Sequence, residues 1–586
     1  MTKTLELADI QGNIIRAYGR FGYPKARYFF LHISDAAAGR RFINAIVPHI
    51  TSAIRWKKTG SNKPEDTDKI DRPEITLNIG FSYAGLAALE LPTRTLKAMP
   101  AEFIDGMEER KDILSDKGES GPEHWDPIWR NNSGNTKVHI WISMNALVDF
   151  AQAQQGKIVT ADLDAKTRWL ESLIANVAIC KDAKGDIKID KKGKPITGVS
   201  LLSGNDELNS KYQEAAAIIE ETPDGEIITP KEHFGYRDGI GDPVFEGQFA
   251  PDVEAARVPG RGKIKPDGSW APLATGEFLL GHPDESQEIP GSALPPEFSR
   301  NGTFMAFRKL QEHVDRFDTY IDSVADNYAS IQEIEKDEAS STIKAKMIGR
   351  WSDGTPLVKA ATEAERAKFR EDFDNDMKQA KMALAIEMKK EHGDGIAAIK
   401  KRITAIKQRE TDFTYSEDPL GTKCPFGAHL RRGNSRDMLD PAVTLQALKN
   451  GKVVKPDNGS ALNKRRRILR RGLPYETKIK GKKGGDKGII FMAVCANLFR
   501  QFEFLQQQWM QYGLDFQAGN DTCPVIGYRD PDFPTKFTIA TDPDGDKPPY
   551  FCTDMPPFVT TRGGEYFFIP GITALRMIAM GIVDPT

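Results

Sequence analysis

Runs with the character of buried β-strands alternate with amphipathic helical runs through the first 240 residues, and no glycine-rich phosphate loop separates them. That alternation restricts the fold more than any other feature, because each strand must join a sheet and each helix must cover an apolar face. Residues 27–33 (RYFFLHI) are rich in aromatic side chains and bounded by Pro24 and by Ser34-Asp35, as a buried strand requires. From Ala36 the chain places Phe42, Ile46 and Ile50 at helical spacing, and Trp169, Leu173 and Val177 mark another helix. Ile75, Leu77 and Ile79 alternate with Thr76 and Asn78, the period of a half-buried strand, and residues 138–143 read as a further strand. The expected class is α+β, a sheet with helices on one face.

The second half repeats this grammar at larger scale. Residues 303–310 (TFMAFRKL) read as a strand leading into a helix through Val314 and Phe317. Residues 488–494 (GIIFMAV) read as a buried strand followed by a helix with Leu498, Phe502, Leu505 and Trp509 at i, i+4, i+7 and i+11, and 565–569 (EYFFI) supply a late strand. Element order divides the chain into residues 1–245 and 246–586, with a charged helical insertion at about 360–410. In that insertion Thr362 and Glu365 form a capping box, and Phe369, Phe373, Met377, Leu384 and Met388 fall on one stripe. Gly393 and Gly395 break it, and Ile396, Ile399, Ile403 and Ile406 start a second stripe, which predicts a helical hairpin packed on the outside.

Lys and Arg number 81 against 83 Asp and Glu, a net charge of −2, so no overall field directs the chain toward nucleic acid or an anionic membrane. No apolar run reaches the roughly 18 residues of a membrane-spanning helix. The start of the sequence shows no basic stretch followed by an apolar one, so a cytoplasmic location is expected. Five scattered cysteines without a CxxC pair predict reduced, mostly buried thiols rather than a disulfide framework or structural zinc.

Three segments are candidates for chemistry. Residues 233–243 (HFGYRDGIGDP) place Asp238 among glycines, which reads either as a tight turn with a capping aspartate or as a presented acid. Residues 424–436 (CPFGAHLRRGNSR) set His429 between an apolar approach and three arginines, suited to a metal or haem ligand whose anionic periphery needs cations. A hydrogen-bonded structural histidine is the plainer alternative. Residues 464–475 are strongly basic, yet Ile468-Leu469 and the Gly-Leu-Pro-Tyr continuation look like a segment entering a core, with some arginines pointing inward at an anion.

Together these segments resemble the dye-decolorizing peroxidase family. The GxxDG signature is Gly235 to Gly239, the proximal segment is CPFGAHLRRGNSR, and the arginine segment is RRILRRGLPYE at 466–476. Further stretches similar to the family run in order along nearly the whole chain, among them DIQGNII at 9–15, GEFLLG at 276–281 and NGTFMAFRKLQ at 301–311. The resemblance implies two ferredoxin-like domains, each an antiparallel sheet flanked by helices, the first carrying the GxxDG motif and the second holding non-covalent haem b, one iron per chain. It implies His429 as proximal iron ligand, Asp238 as distal acid, and Arg470 as distal arginine, with the adjacent Arg471 as the alternative. It also implies Arg436 near a haem propionate, and Ile489 and Phe491 over the distal haem face. Gly241-Asp242, Asn434-Ser435-Arg436 and Glu476 depart from the usual family pattern.

The implied activity is reduction of hydrogen peroxide with oxidation of dyes, phenols or other bulky aromatic donors. Electrons would leave through surface residues, with Trp270, Trp351, Trp509 and Tyr475 as candidates; a hydrogen-bond partner for the His429 ring is expected, and the sequence does not single out which acid, if any, supplies it. A haem-binding or haem-delivery protein with incidental peroxidase activity is the rival reading, and a scaffold docking through the helical hairpin is a third. The Asp238–Arg470–His429 set favours the enzyme, because a carrier needs neither distal group.

Overall fold

The computed structural model describes residues 4–57, 69–204, 210–290, 292–390, 393–439, 460–477, 485–542 and 548–582. The expected strands form as Lys25–Ile33, Ile75–Phe81, Ile140–Ala146, Thr303–Glu312, Asp486–Cys495 and Val559–Ile569, in which aromatic and β-branched side chains pack on a pleated surface. They join in one antiparallel sheet of ten strands among the described residues. Its path runs Leu469–Arg470, Asp486–Cys495, Thr303–Glu312, Val559–Ile569, Ile75–Phe81, Ile140–Ala146, Lys25–Ile33 and Val199–Leu201, with Leu473–Thr477 and Gln213–Ala216 paired off it. Strands from residues 1–245 occupy one end and those from 246–586 the other, joined where Phe568 pairs with Phe81.

Helices cover the sheet, giving the α+β architecture. Ala36–Ile46, begun by Asp35 accepting from the Ala38 N–H, packs against Leu163–Val177 and against the late helix Ile572–Met580, so the two ends of the sequence interlock. Phe30, Trp129, Phe307 and Phe567 meet edge-on or tilted in the shared core, where each buried large side chain contributes about 1.5–3 kcal/mol. All five cysteines are free and buried. No helix among the described residues is long and apolar enough to cross a membrane.

Two local expectations need correction. The helix after Asp486–Cys495 is π-wound at Phe499–Glu503 and Leu505–Met510; the Glu503 N–H reaches back five residues to Leu498 O at 2.9 Å. Gln501 explains the wide turn, because its buried amide donates to Glu277 O and Arg467 O. In the insertion the capping box forms and the helices are Glu363–Lys389 and Gly393–Gln408, so Gly393 and Gly395 open the second helix rather than separate the two. Both fall in the first turn, where N–H groups have no intrahelical acceptor to lose. The hairpin core is Phe373, Met377, Ala380 and Ile406, while Met388 at the tip is exposed.

Candidate active site

Two adjoining cavities of about 480 and 360 Å³ lie at the end of the sheet contributed by the second half, and His429, Asp238, Arg470 and Phe491 line both. Their volumes suit a bound small molecule or cofactor.

Asp238 sits in a turn whose Gly235 and Gly239 have φ of +87° and +77°, a region that favours glycine. The Asp238 N–H donates to Pro230 O at 2.8 Å. Beside it, the Arg237 guanidinium donates to Asp353 O and to Glu410 Oε1, both at 2.8 Å, and Arg370 of the helical hairpin donates to the same Glu410 oxygen at 2.7 Å. The hairpin base therefore anchors the loop that presents the acid.

Arg470 comes from Leu469–Arg470, registered by pairing with Val494 and Ala493. Asp242 fixes its backbone: Oδ1 accepts from the Arg470 N–H and Oδ2 from Arg471 Nη1, each at 3.0 Å. Neighbours in a strand point to opposite faces. Arg471 accordingly turns away to donate to Asn13 O and Ile14 O, while Arg470 faces the cavities and donates through Nη1 to Asp238 Oδ1. The Asp238 side chain is 49 % accessible, within the cavity. Burial acts to raise its pKa, but Arg470, Arg20 and the Gly239 N–H outweigh it and hold the carboxyl below the ordinary aspartate value.

His429 opens the short helix His429–Gly433. Its loop is tied down by a buried ion pair in which Arg431 Nη1 donates to Asp418 Oδ2 at 2.8 Å, while Asp418 also accepts from the Lys423 and Cys424 N–H groups. Arg432 donates to the carbonyls of Gly427, Trp509, Tyr512 and Asp521. Of the three arginines around His429 only Arg436 lines a cavity, whereas Arg431 and Arg432 are taken up by the supporting loops. Arg436 lines the larger cavity, stacks 3.6 Å from the Phe413 ring centroid and donates to Thr411 O at 2.7 Å.

Sequence reasoning missed several cavity residues. Arg350, delivered where helix Lys336–Ile348 ends at Gly349 (φ +102°), and Arg467 line the larger cavity with Arg436. Burial, the largest cause in each case, pushes Arg350 down to about 9 and Arg436 and Arg467 to about 10, and Arg436 also repels Arg350. Arg308 is only 3 % exposed; Nη2 pairs with Asp116, whereas buried Nε and Nη1 have no partner among the described residues. Its signal was an arginine inside an apolar strand, one period from Leu310. Strand register sets Arg308 opposite Phe491 and Leu310 opposite Ile489, so all four belong to one face of the sheet; Ile489 lines only the smaller cavity. Glu232 and Glu312, buried against each other in that cavity, are both raised by burial, Glu232 to about 7.

The partner of the His429 ring, which the sequence left open, is a sulfur rather than an acid. Nδ1 lies 3.2 Å from the sulfur of Cys523. Burial raises the Cys523 thiol, but His429, Arg432 and the Ile526 N–H outweigh it and bring it down to about 7, whereas burial pushes Cys424, Cys495 and Cys552 up to about 11, 12 and 12. Of the proposed surface aromatics, Trp351, Trp509 and Tyr475 are each 1 % exposed and therefore not at the surface. Trp270 is half-buried, donates to Asp412 Oδ1 at 2.8 Å, and has its ring centroid 5.7 Å from the Arg436 guanidinium carbon.

A family model described as the DyP dimeric alpha+beta barrel domain matches residues 9–168. Over 98 % of its length the chain is 25 % identical to Peroxidase 2 of Mycetinis scorodonius, covering 87 % of that protein, and 28 % identical to the multifunctional dye peroxidase DyP2 of Amycolatopsis sp., covering 96 % of it. The chain is similar to dye-decolorizing peroxidases over nearly its whole length. A solved dye-decolorizing peroxidase complex with 2,6-dimethoxyphenol shares the fold at a TM-score of 0.62 and 23 % identity, covering 98 % of this chain and 100 % of that one. These full-length relatives support a peroxidase oxidoreductase, and dye-decolorizing peroxidases are haem enzymes.

The cavity residues fit a haem. An apolar wall of Leu310, Phe491, Phe502 and Leu505 suits a porphyrin face, and the buried cations Arg308, Arg350, Arg436 and Arg467 suit its carboxylates. The unpartnered Arg308 nitrogens call for such an anion. Among the described residues no hydrogen bond occupies Nε2 of His429, so that nitrogen is available to a ligand once Nδ1 is engaged.

Proposed function

We propose that this chain is a haem b peroxidase, binding one haem non-covalently through His429, in which Asp238 and Arg470 act on hydrogen peroxide and aromatic compounds supply the electrons. The carrying observation is the Asp238–Arg470 pair lining the same cavity as His429. Bound haem supplies an iron centre for two-electron reduction of peroxide and one-electron oxidation of donors. Asp238, unprotonated at neutral pH, takes the proton from one peroxide oxygen and returns it to the other, which departs as water. Arg470 stabilises the negative charge that develops as the O–O bond breaks. Ile489 and Phe491 keep bulk water from the reacting oxygens, and Arg436 is among the cations that meet the propionates. Titration of the full chain with haem is expected to saturate at one per chain, giving a Soret band that shifts on mixing with peroxide; no binding, or a band indifferent to peroxide, overturns the proposal.

The lowered Asp238 pKa fixes a pH dependence. The base form persists below the ordinary aspartate value of about 3.9 and is lost only as pH falls through the lower folded-state value. Replacing Arg470 by Gln removes the largest influence holding that value down, so the acid limb of the peroxide reaction is expected to move to higher pH, besides a lower plateau. An acid limb at the same pH in parent and Arg470→Gln would break the link.

Donors too large for the cavity are oxidised at Trp270, which is partly exposed and adjoins Arg436. Trp270→Phe is expected to lower turnover of a bulky dye about tenfold, about 1.4 kcal/mol, without slowing the Soret response to peroxide. Undiminished dye turnover removes Trp270 from the path. For small donors a phenol such as 2,6-dimethoxyphenol, bound in the structure of a dye-decolorizing peroxidase, is the natural first substrate.

A further inference from the structure

A histidine that ligates a metal has a second ring nitrogen, whose partner selects the tautomer, orients the ring and tunes its basicity. In this chain the atom at that position is sulfur: Cys523 Sγ lies 3.2 Å from Nδ1 of His429 across 94 residues of sequence. The loop around Cys523 is built rigidly. The Cys523 N–H donates to Met510 O at 2.7 Å, while Cys523 O accepts from the Gly527 N–H at 3.0 Å and from Arg529 Nη2 at 3.1 Å. Cys523 is fully buried and its backbone is bonded on both sides, so the sulfur has little freedom to leave the ring. The carboxylate nearest in this loop is engaged elsewhere, Asp521 accepting from the Lys536 N–H and Nζ at 3.1 Å each. Among the described residues no carboxylate forms an ion pair with His429.

We propose that Cys523 is the positioning residue of His429, its sulfur accepting the Nδ1–H hydrogen bond and so leaving Nε2 as the nitrogen free to bind iron. The assignment rests on the haem reading above. In its thiol form the sulfur is a weak acceptor that polarises the imidazole less than a carboxylate does, and hydrogen bonding to an axial ligand is one of the means by which a protein sets haem potential. This proximal site is therefore tuned to a higher Fe(III)/Fe(II) potential than the same site with an aspartate.

The test uses the haem-loaded full chain as parent, Cys523→Ser, Cys523→Val and Cys523→Asp. Ser and Val are close to Cys in size, so each keeps the loop packed while retaining or deleting the acceptor. Spectroelectrochemical titration is expected to order the potentials with Val highest, parent and Ser between, and Asp lowest. The iron–histidine stretch of the reduced protein is expected to fall in Val and rise in Asp. If Val does not fold, the order of parent, Ser and Asp decides alone. Equal potentials and stretches across the folded variants, with a normal Soret band, overturn the positioning role, because a purely structural cysteine would change stability without moving either. A parent that lacks a Soret band dependent on His429 overturns the haem reading, and this inference with it.

Discussion

Asp238→Asn is expected to slow the reaction of the haem-loaded chain with hydrogen peroxide by about 10²–10⁴-fold, the range for removing a positioned acid–base group, equivalent to about 2.7–5.4 kcal/mol. Asparagine keeps the shape of the side chain and can still meet Arg470, but it has no basic oxygen for the peroxide proton. The loop should not move, since Gly235 and Gly239 set its turn and Arg237 holds it to Asp353 and Glu410. Arg470 should also stay in place, because Asp242 accepts from its backbone N–H. The variant is therefore expected to keep the parent's haem affinity and melting temperature, so that stopped-flow Soret traces report proton transfer alone. A loss of less than about threefold would assign the work to Arg470 with solvent as base, a smaller effect than any positioned acid–base group gives.

How much of this was legible in the sequence differs by element. Strands such as Thr303–Glu312 and Val559–Ile569 announce themselves, because a run of aromatic and β-branched residues has few alternatives to a buried sheet. Joining strands of both halves into one sheet depends on the Phe81–Phe568 pairing, which no local pattern encodes. The choice between Arg470 and Arg471 was equally closed to local reading: adjacent strand residues face opposite ways, and which way is the cavity follows from register with Asp486–Cys495 and from Asp242 more than 200 residues earlier. The π-wound turns at 499–510 keep the apolar spacing of an α-helix, so the signal for them lay only in a buried Gln501 whose acceptors come from distant loops. Arg431 and Arg432 looked like part of a cationic surface for a ligand because composition records charge, not direction; their partners are the buried Asp418 and the carbonyls of loops around residues 427 and 509–521. Cys523 carried no signal, since a lone cysteine gains its meaning here only from the ring packed against it.

His429→Ala is expected to abolish the peroxide response of the Soret band. The apoprotein need not collapse. Asp418 and Arg431 fix the loop without help from the imidazole, and the cavity retains its apolar wall and its four buried arginines, so haem can still partition into it. What disappears is the nitrogen ligand, and with it the parent spectrum and the reactivity toward peroxide that depends on it. The sulfur of Cys523 faces the space the ring would leave, and a thiolate is itself a haem ligand, so it must be removed as well. The measurement therefore pairs His429→Ala with His429→Ala/Cys523→Ser. Loss of the parent spectrum in both variants, with parent-like bands returning on addition of free imidazole, supports ligation at His429. A parent spectrum retained by the double variant would place the iron ligand elsewhere in the chain and remove the basis for reading Asp238 and Arg470 as its distal partners.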